Sequence, residues 1–358
     1  MSSLTHDISG AVLAGDRRHK ARALAIWLVV VLFFSVLLSL GVGATNVSLW
    51  DAAQSMVTAQ ELSARDKIIL YDIRLPRTAM GVLVGAALAV SGAVMQGVFR
   101  NPLADPGLVG VSAGAGLGAI AAIVLGGTLP VALAEALGYY VVPVAAFLGA
   151  WCSTLVLYRI STRRGRTSVA TMLLAGIALG ALAGAVSGAL TYIADDAQLR
   201  TLTFWSMGSL GGATWGKLLT AAPLIILALA VSPFLAHGLN GLALGEAAAA
   251  HIGIPVQRLK NTAILMVAGA TGAAVAVSGG IGFVGIVVPH LLRLIVGPDH
   301  KYLLVNSALL GAALLLCADV ISRIVIAPAE LPIGIVTATL GGPFFLWILL
   351  RQRGLVDM

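Results

Sequence analysis

Residues Gly85 to Gly92 read Gly-Ala-Ala-Leu-Ala-Val-Ser-Gly, and nearly the same octet, Gly-Ala-Ala-Val-Ala-Val-Ser-Gly, recurs at Gly272 to Gly279. Each octet lies in a long apolar run, and a proline follows ten residues after its last glycine in both copies. A duplicated membrane-spanning unit is the simplest interpretation. If the two copies cross the bilayer in opposite directions, they form the inverted repeat that is common in transporters. A chance similarity between Gly/Ala-rich helices is the alternative.

The composition around the octets is that of an integral membrane protein. Of 358 residues, 59% are hydrophobic and 10% are charged, and the mean hydropathy is +0.99, whereas soluble domains carry about 25% charged residues. The 42 glycines favour close approach between membrane helices. The formal charge of +7 comes from Lys and Arg in short loops between apolar runs, which indicates membrane topology and not binding to nucleic acid.

A helical crossing needs about 20 apolar residues, and on this basis the sequence predicts an all-α protein with about ten transmembrane helices. The predicted spans are residues 23–43, 78–99, 107–126, 141–158, 168–193, 215–236, 262–279, 281–296, 303–321 and 334–350. They form one transmembrane domain, residues 23–350, between an N-terminal tail (1–22) and a C-terminal tail (351–358). The eighth span is short and contains Pro289, so the pattern leaves its boundaries open.

Loop charges predict the orientation of these spans. With the N-terminus in the cytoplasm, most of the 22 basic residues fall in cytoplasmic segments, so we expect both termini inside and the two octets running in opposite directions. The first apolar run follows basic residues, as in a signal peptide, but it is too long for one. We therefore expect a retained first helix.

The sequence gives little support for catalysis or for a metal site. It contains no Gly-x-x-x-x-Gly-Lys-Ser/Thr motif, and its six histidines form no cluster with carboxylates at ligand spacing. Cys152 and Cys317 lie in separate apolar runs and are predicted to be buried thiols. Around Ser112, the segment Gly110 to Gly114 fits the nucleophile-elbow pattern. An intramembrane serine hydrolase is therefore one alternative, although glycine-rich helices often produce such matches.

One acid lies clearly within a predicted span. Asp319 precedes Arg323 by four residues, a spacing that fits an ion pair within one helix as well as an intramembrane proton site. An ion-coupled carrier that needs no ATPase is therefore a second alternative.

Four glycines recur every fourth residue in the fifth predicted span: Gly176, Gly180, Gly184 and Gly188. This spacing places them on one smooth stripe of a helix. Tight helix packing and the wall of a wide conduit for a bulky solute are both consistent with such a stripe.

Several longer motifs together resemble the FecCD family, the permeases of bacterial importers for iron-siderophores, haem and cobalamin. The motifs are Arg74-Leu-Pro-Arg77, Ser91-Gly-Ala-Val-Met-Gln96, Asn101-Pro-Leu-Ala-Asp-Pro-Gly107, Gly280-Ile-Gly-Phe-Val-Gly-Ile-Val-Val-Pro-His290 and Glu330-Leu-Pro-Ile-Gly-Ile-Val-Thr-Ala-Thr-Leu-Gly-Gly-Pro343. In addition, Glu246-Ala-Ala followed by Gly253 resembles the Glu-Ala-Ala loop of ABC importer permeases, whose short helix inserts into a groove of the ATPase. A solvated connector is the alternative for that loop.

The resemblance implies a type II ABC importer permease. Such a permease has ten helices per subunit, works as a homodimer with the conduit between subunits, and sits in the bacterial inner membrane. It receives cargo from a periplasmic binding protein and is driven by two ATPase subunits, which bind the ATP and Mg. The resemblance therefore implies that this chain catalyses no reaction and holds no cofactor or metal of its own.

The same resemblance assigns roles to individual residues. Arg74, Arg77 and Arg323 match outward-facing arginines that accept carboxylates of the binding protein, and we expect exposed pairs worth about 0.2–1 kcal/mol each. The loop at residues 237–260 is the implied ATPase contact, through Gly245, Glu246, Ala247, Ala248, His251 and Gly253. The implied gate and conduit residues are Asn101, Leu103, Thr167 and Ser168, together with the four glycines of the stripe.

The cargo is suggested by one segment. Residues 195–210, which begin Asp195-Asp196-Ala-Gln-Leu-Arg200 and contain Phe204-Trp205, look most like the haem importers of this family. Haem is therefore the expected cargo, and a ferric siderophore or cobalamin is the alternative.

Overall fold

The computed structural model describes residues 17–43, 54, 62–164 and 166–356. The first sixteen residues of the predicted N-terminal tail lie outside this part of the chain. The helices are α1 Arg18–Gly41, α2 Ala64–Lys67, α3 Leu75–Phe99, α4 Val111–Leu125, α5 Val131–Leu137, α6 Val141–Ser161, α7 Val169–Tyr192, α8 Asp196–Ser206, α9 Trp215–Leu242, α10 Glu246–His251, α11 Val256–Ser278, α12 Val284–Val296, α13 His300–Ile324 and α14 Ile333–Val356. A π-helical segment, Ile68–Arg74, joins α2 to α3, and strands β1 (Thr162–Arg163) and β2 (Arg166–Thr167) pair antiparallel between α6 and α7.

The predicted all-α membrane fold is confirmed. Within the described residues, eight helices are long and apolar enough to cross a membrane, and two shorter apolar helices, Val284–Val296 and Ile333–Ile348, complete the ten predicted spans. The largest differences are at the ends of helices. Helix α9 continues to Leu242 and α11 begins at Val256, so much of the predicted loop 237–260 is helical. Similarly, α14 extends through most of the predicted C-terminal tail.

The two octet helices form the centre of the bundle. In the most apolar window of each, 89% of residues are buried in the span that contains α3 and 78% in α11, compared with 17% in α1 and 11% in α7. Helix α3 packs against α12 and α13 from the second half, while α11 packs against α4 and α6 from the first half. This reciprocal packing is the arrangement expected of two structural repeats.

Side-chain contacts define two opposite ends of the bundle. At one end, Arg77 in the first turn of α3 bonds Asp319 near the end of α13; we call this the Arg77 end. At the other, Lys260 in the first turns of α11 bonds Glu246; we call this the Glu246 end. Near the end of α3, a Cβ atom added at Gly97 would meet Leu239 in the last turns of α9, which leads into α10, so α3 ends at the Glu246 end. Helices α3 and α11 therefore start at opposite ends, which makes the repeat inverted.

Both described ends of the chain lie at the Glu246 end. Helix α1 finishes against Arg74, at the Arg77 end, so its first residue lies on the opposite side. Helix α14 starts at Ile333, three residues after Glu330, which accepts a hydrogen bond from Arg77 at the Arg77 end. Its 24 residues span about 36 Å towards the Glu246 end.

The octets identify the two helices that correspond in the repeat, but the octet residues themselves do not occupy equivalent positions in these helices. The first octet lies in the middle of α3, whereas the second reaches the end of α11 at Ser278. The prolines that follow also differ, because Pro102 lies between helices and Pro289 lies inside α12. The octet similarity therefore reflects the need for small residues in both central helices, and not equivalent depth in the bundle.

The third and eighth spans share an unusual start. Helix α4 begins directly after Gly110, whose φ is +79°, and α12 begins directly after Phe283, whose φ is +68°. Each left-handed residue turns the chain into a short helix, of 15 residues in α4 and 13 in α12. At about 1.5 Å per residue, α12 does not span a bilayer core of about 30 Å alone, and α4 reaches 18 residues only together with the 3-10 turn Gly126–Thr128 that follows it. A 3-10 turn, Pro106–Val109, precedes α4, whereas the non-helical residues 279–283 precede α12.

Two smaller predictions need correction. Cys152 was predicted to be buried but is exposed on α6, and Cys317 is half-buried. The reason is that only 22% of the apolar window containing α6 is buried within this chain, so its outer face is left for lipid or another subunit. The nucleophile-elbow interpretation of Ser112 also fails, because a 3-10 turn, Pro106–Val109, and not a strand, leads into α4.

Candidate functional sites at the two ends of the bundle

The Arg77 end holds a cluster of five charged residues, four of them buried, which we call the arginine cluster: Arg74, Arg77, Asp319 and Arg323, which are buried, and Glu330, which is exposed. Arg77 donates to both carboxylate oxygens of Asp319 at 2.9–3.1 Å and to both oxygens of Glu330 at 2.8 and 3.0 Å. The Nη2 atom of Arg323 lies 3.1 Å from Asp319 Oδ2. Asp319 therefore joins two guanidinium groups, and the predicted ion pair within one helix is confirmed.

The remaining donors of these arginines bind the end of α1. Arg74 Nη1 donates to the carbonyl oxygens of Leu40 and Gly41. Arg323 Nη1 donates to Ser39 O at 3.1 Å and to Val42 O at 2.8 Å. The cluster thus satisfies carbonyl groups that an α-helix leaves without partners at its C-terminus.

The exposure expected of the three arginines is not found. Arg74, Arg77 and Arg323 are only 4%, 6% and 5% exposed in the chain alone, because the cluster faces inward between α1, α3 and α13. The expectation of exposed, weakly stabilising surface pairs is therefore wrong for this chain. Glu330, with a side chain 43% exposed, is the cluster member open to the outside. The docking role of the arginines stays a prediction.

At the Glu246 end, the predicted coupling segment forms a short helix, α10, bounded by two left-handed glycines. Gly245 has a φ of +105° and Gly253 a φ of +86°, conformations that strain any residue with a side chain. Within α10, His251 Nδ1 lies 2.7 Å from Ala247 O. Ala249 is fully buried, while Ala247 and Ala248 are exposed.

Large apolar side chains flank α10. Leu244 is 70% exposed and Ile252 is 60% exposed, and Ile252 also lines a cavity of about 300 Å³ formed by the end of α9 and the start of α11. Two large apolar side chains are therefore exposed on either side of α10, where contact with another protein would bury them.

The predicted gate residues lie at this same end but make different contacts. Asn101 is exposed, and its Oδ1 accepts a hydrogen bond from the Leu103 amide at 3.0 Å. Ser168 caps α7 by accepting from the Thr171 amide. Thr167 is 5% exposed and bonds Gln257 and Lys260 at the start of α11. Gln257 and Lys260 fall in the predicted loop 237–260, but nothing in their spacing predicts contact with Thr167.

Three of the four stripe glycines face open space within this chain. A Cβ atom added at Gly180, Gly184 or Gly188 would meet no heavy atom within 4 Å. By contrast, one added at Gly92 or Gly85 in α3 would overlap a backbone carbonyl of another helix. These three positions are therefore not used for packing inside the subunit, which favours the conduit interpretation over tight packing within the chain.

A cavity of about 570 Å³ opens at the Arg77 end between α6, α8 and α9. Its lining includes Tyr139, Arg200, Phe204, Trp205 and Lys217. The Arg200 guanidinium lies 5.9 Å from the centre of the Phe204 ring, a favourable cation–π distance. The cavity thus combines two cations with aromatic surface, which suits a flat, anionic ligand.

Helix α8 holds Arg200 at this cavity. A capping box fixes the start of α8, because Asp195 and Gln198 exchange backbone and side-chain hydrogen bonds at 2.8 and 3.1 Å. Gln198 also donates to Val124 O at the end of α4. These bonds place residues 195–210, the segment that resembles haem importers, at the edge of the cavity.

Comparison with known proteins gives close matches over nearly the whole chain. The FecCD transport family matches residues 31–351. The hemin transport system permease protein HmuU of Yersinia pestis is 46% identical over 341 residues, covering 94% of this chain and 98% of that protein. The vitamin B12 import system permease protein BtuC of Salmonella typhi is 45% identical over 313 residues, covering 86% and 92%. A solved inward-facing metal-chelate type ABC transporter aligns with a TM-score of 0.80 at 30% identity, covering 92% and 99%.

Proposed function

Because this chain belongs to the FecCD transport family, we propose that it is the permease subunit of an ATP-driven importer that carries haem across the bacterial inner membrane. Its relatives are permeases and not catalytic subunits, so ATP hydrolysis falls to partner subunits. The two curated relatives differ in cargo but are almost equally identical to this chain. We therefore base the choice of haem on the residues that line the cavity at the Arg77 end.

Haem has a flat aromatic ring and two propionate carboxylates. Arg200 and Lys217 supply positive charge at the cavity, and Tyr139, Phe204 and Trp205 supply flat apolar surface. Charged groups near a pathway raise the local concentration of an oppositely charged solute. Vitamin B12 is the second candidate cargo, supported by the relative at 45% identity.

The proposed orientation places the Arg77 end in the periplasm and the Glu246 end in the cytoplasm. Both described ends of the chain are then cytoplasmic, in agreement with the loop charges. The periplasmic binding protein docks at the Arg77 end, and two ATPase subunits bind α10 and its apolar flanks. A second copy of this chain completes the conduit, which the glycine stripe lines.

Uptake by purified protein tests this proposal. We expect proteoliposomes that contain the permease, its ATPase and its binding protein to accumulate haem when ATP is supplied to the ATPase side. Vitamin B12 and a ferric siderophore serve as competing cargoes, and preferential uptake of either would replace haem as the cargo. Uptake driven by a proton or sodium gradient without the ATPase would overturn the importer itself.

Arg200→Ala is expected to slow haem uptake up to about fivefold, since an exposed ion pair contributes about 0.2–1 kcal/mol. The loss should shrink at high ionic strength because salt screens exposed charges. Initial uptake rates at two salt concentrations measure both effects. Arg159→Ala, which removes an exposed arginine at the Glu246 end, is the matched control, and an equal loss in this variant would contradict the cavity assignment.

Gly184→Leu is expected to block uptake by about tenfold or more without lowering thermal stability. The new side chain enters open space, and leucine forms helices better than glycine by about 0.8 kcal/mol. Ala178→Leu, at an exposed position about 120° round α7 from Gly184, is the control. If both variants transport normally, the stripe does not line the conduit.

A further inference from the structure

A buried lysine connects the proposed ATPase contact to the proposed gate. Lys260 is 1% exposed and is among the largest fully buried side chains of the described chain. It is the fifth residue of α11. A buried ammonium group is costly unless it is paired and hydrogen-bonded. The position therefore requires specific partners.

The two partners of Lys260 belong to different elements. Its Nζ donates to Glu246 Oε1 at 2.6 Å and to the Thr167 carbonyl oxygen at 2.9 Å. Glu246 is the first residue of α10, and its side chain is 47% exposed. Thr167 ends strand β2, one residue before the Ser168 cap of α7. One amine therefore joins the beginning of α10 to the beginning of α7.

Gln257 strengthens the attachment to Thr167. Its Oε1 accepts from the Thr167 amide at 2.9 Å, and its Nε2 donates to Thr167 Oγ1 at 2.6 Å. The amide, the carbonyl and the hydroxyl of Thr167 are therefore all bound by the first turns of α11. The start of α7 cannot move away from α11 without breaking these bonds.

We propose that Lys260 is a positioning residue that transmits movement of α10 to α7, and that Gln257 acts with it. This proposal rests on the function proposed above, in which α10 contacts the ATPase and α7 carries the conduit stripe. A displacement of α10 pulls Glu246, and the shared ammonium group passes that displacement to Thr167 over two hydrogen bonds. Charge-assisted bonds suit this role because they are short and strong.

A purely structural role predicts a different result from a transmitting role. If Lys260 only stabilises the loop, its loss should lower ATP hydrolysis and transport together, in proportion to the amount of folded complex. If Lys260 transmits movement, its loss should leave ATP hydrolysis running while less cargo moves for each ATP. The ratio of cargo transported to ATP hydrolysed separates the two roles.

The test uses the complete complex in proteoliposomes, with haem as cargo. We expect Lys260→Met to reduce the ratio of haem transported to ATP hydrolysed by about tenfold, the size of effect expected from losing bonds to a charged group. Lys260→Arg, which keeps the charge and the donors, should recover part of the ratio. Lys301→Met removes an exposed lysine at the same end and should leave the ratio unchanged.

Gln257→Leu provides a second measurement that keeps the buried ion pair intact, and we expect the ratio to fall here too. If Lys260→Met does not assemble, this variant decides the question. An unchanged ratio in the assembled variants, or a parallel fall in hydrolysis and transport, would overturn the transmitting role. Failure of the wild-type complex to move haem would instead reject the proposed function, so the two failures are distinguishable.

Discussion

Asp319→Asn is expected to lower the free energy of unfolding by about 3–5 kcal/mol, the effect typical of breaking a buried ion pair on one side. The carboxylate is 1% exposed and lies between the guanidinium groups of Arg77 and Arg323. Asparagine has nearly the same shape as aspartate, but it carries no negative charge to compensate the two buried guanidinium groups. Unfolding of the detergent-solubilised protein, followed by heat or denaturant, measures the loss.

Glu330→Gln is the matched control for this prediction. Glu330 binds the same arginine, but its side chain is 43% exposed, so its removal should cost no more than about 1 kcal/mol. Equal losses in the two variants would show that burial does not set the strength of the arginine cluster. An Asp319→Asn protein as stable as the wild type would contradict the buried geometry.

Gly92→Ala is expected to destabilise the bundle by about 1–3 kcal/mol or more, as overpacking of a tight core does. A Cβ at this position would overlap the backbone carbonyl of Gly285, at the crossing of α3 with α12. Backbone atoms cannot rotate away as a flexible side chain can, so the two helices must separate. A lower unfolding temperature and a smaller yield of folded protein are the expected measurements.

Gly116→Ala tests whether the effect depends on the helix crossing. An added Cβ at Gly116 meets no heavy atom within 4 Å, and alanine favours the helix by about 1 kcal/mol over glycine. This variant should be as stable as the wild type or slightly more stable. If Gly92→Ala is equally well tolerated, α3 and α12 do not cross as closely as described.

The sequence predicts the membrane architecture well because apolar length is a local property. All ten spans were found from runs of apolar residues, and the pairing of the two central helices followed from the octets. Helix ends were less accurate. Polar residues such as Asn240 and Lys260 continue α9 and α11 beyond their apolar runs, because their side chains find partners within the protein.

The sites were predicted less completely because their partners are distant in the chain. Arg77 binds Glu330 across 253 positions, and Lys260 binds Thr167 across 93. No local pattern shows that these groups meet, so burial of the arginines and the link between α10 and α7 could not be foreseen. The ion pair between Asp319 and Arg323 was predictable, since one helical turn separates them.

The half-exposed position of Glu330 affects how the periplasmic binding protein would associate and dissociate. Under the proposed function, an acidic group arriving from the periplasm would meet an arginine that already holds a carboxylate. Docking would then exchange one carboxylate for another on the same arginine, with little net change in binding free energy. A binding protein held in this way dissociates readily, as it must after each delivery of cargo.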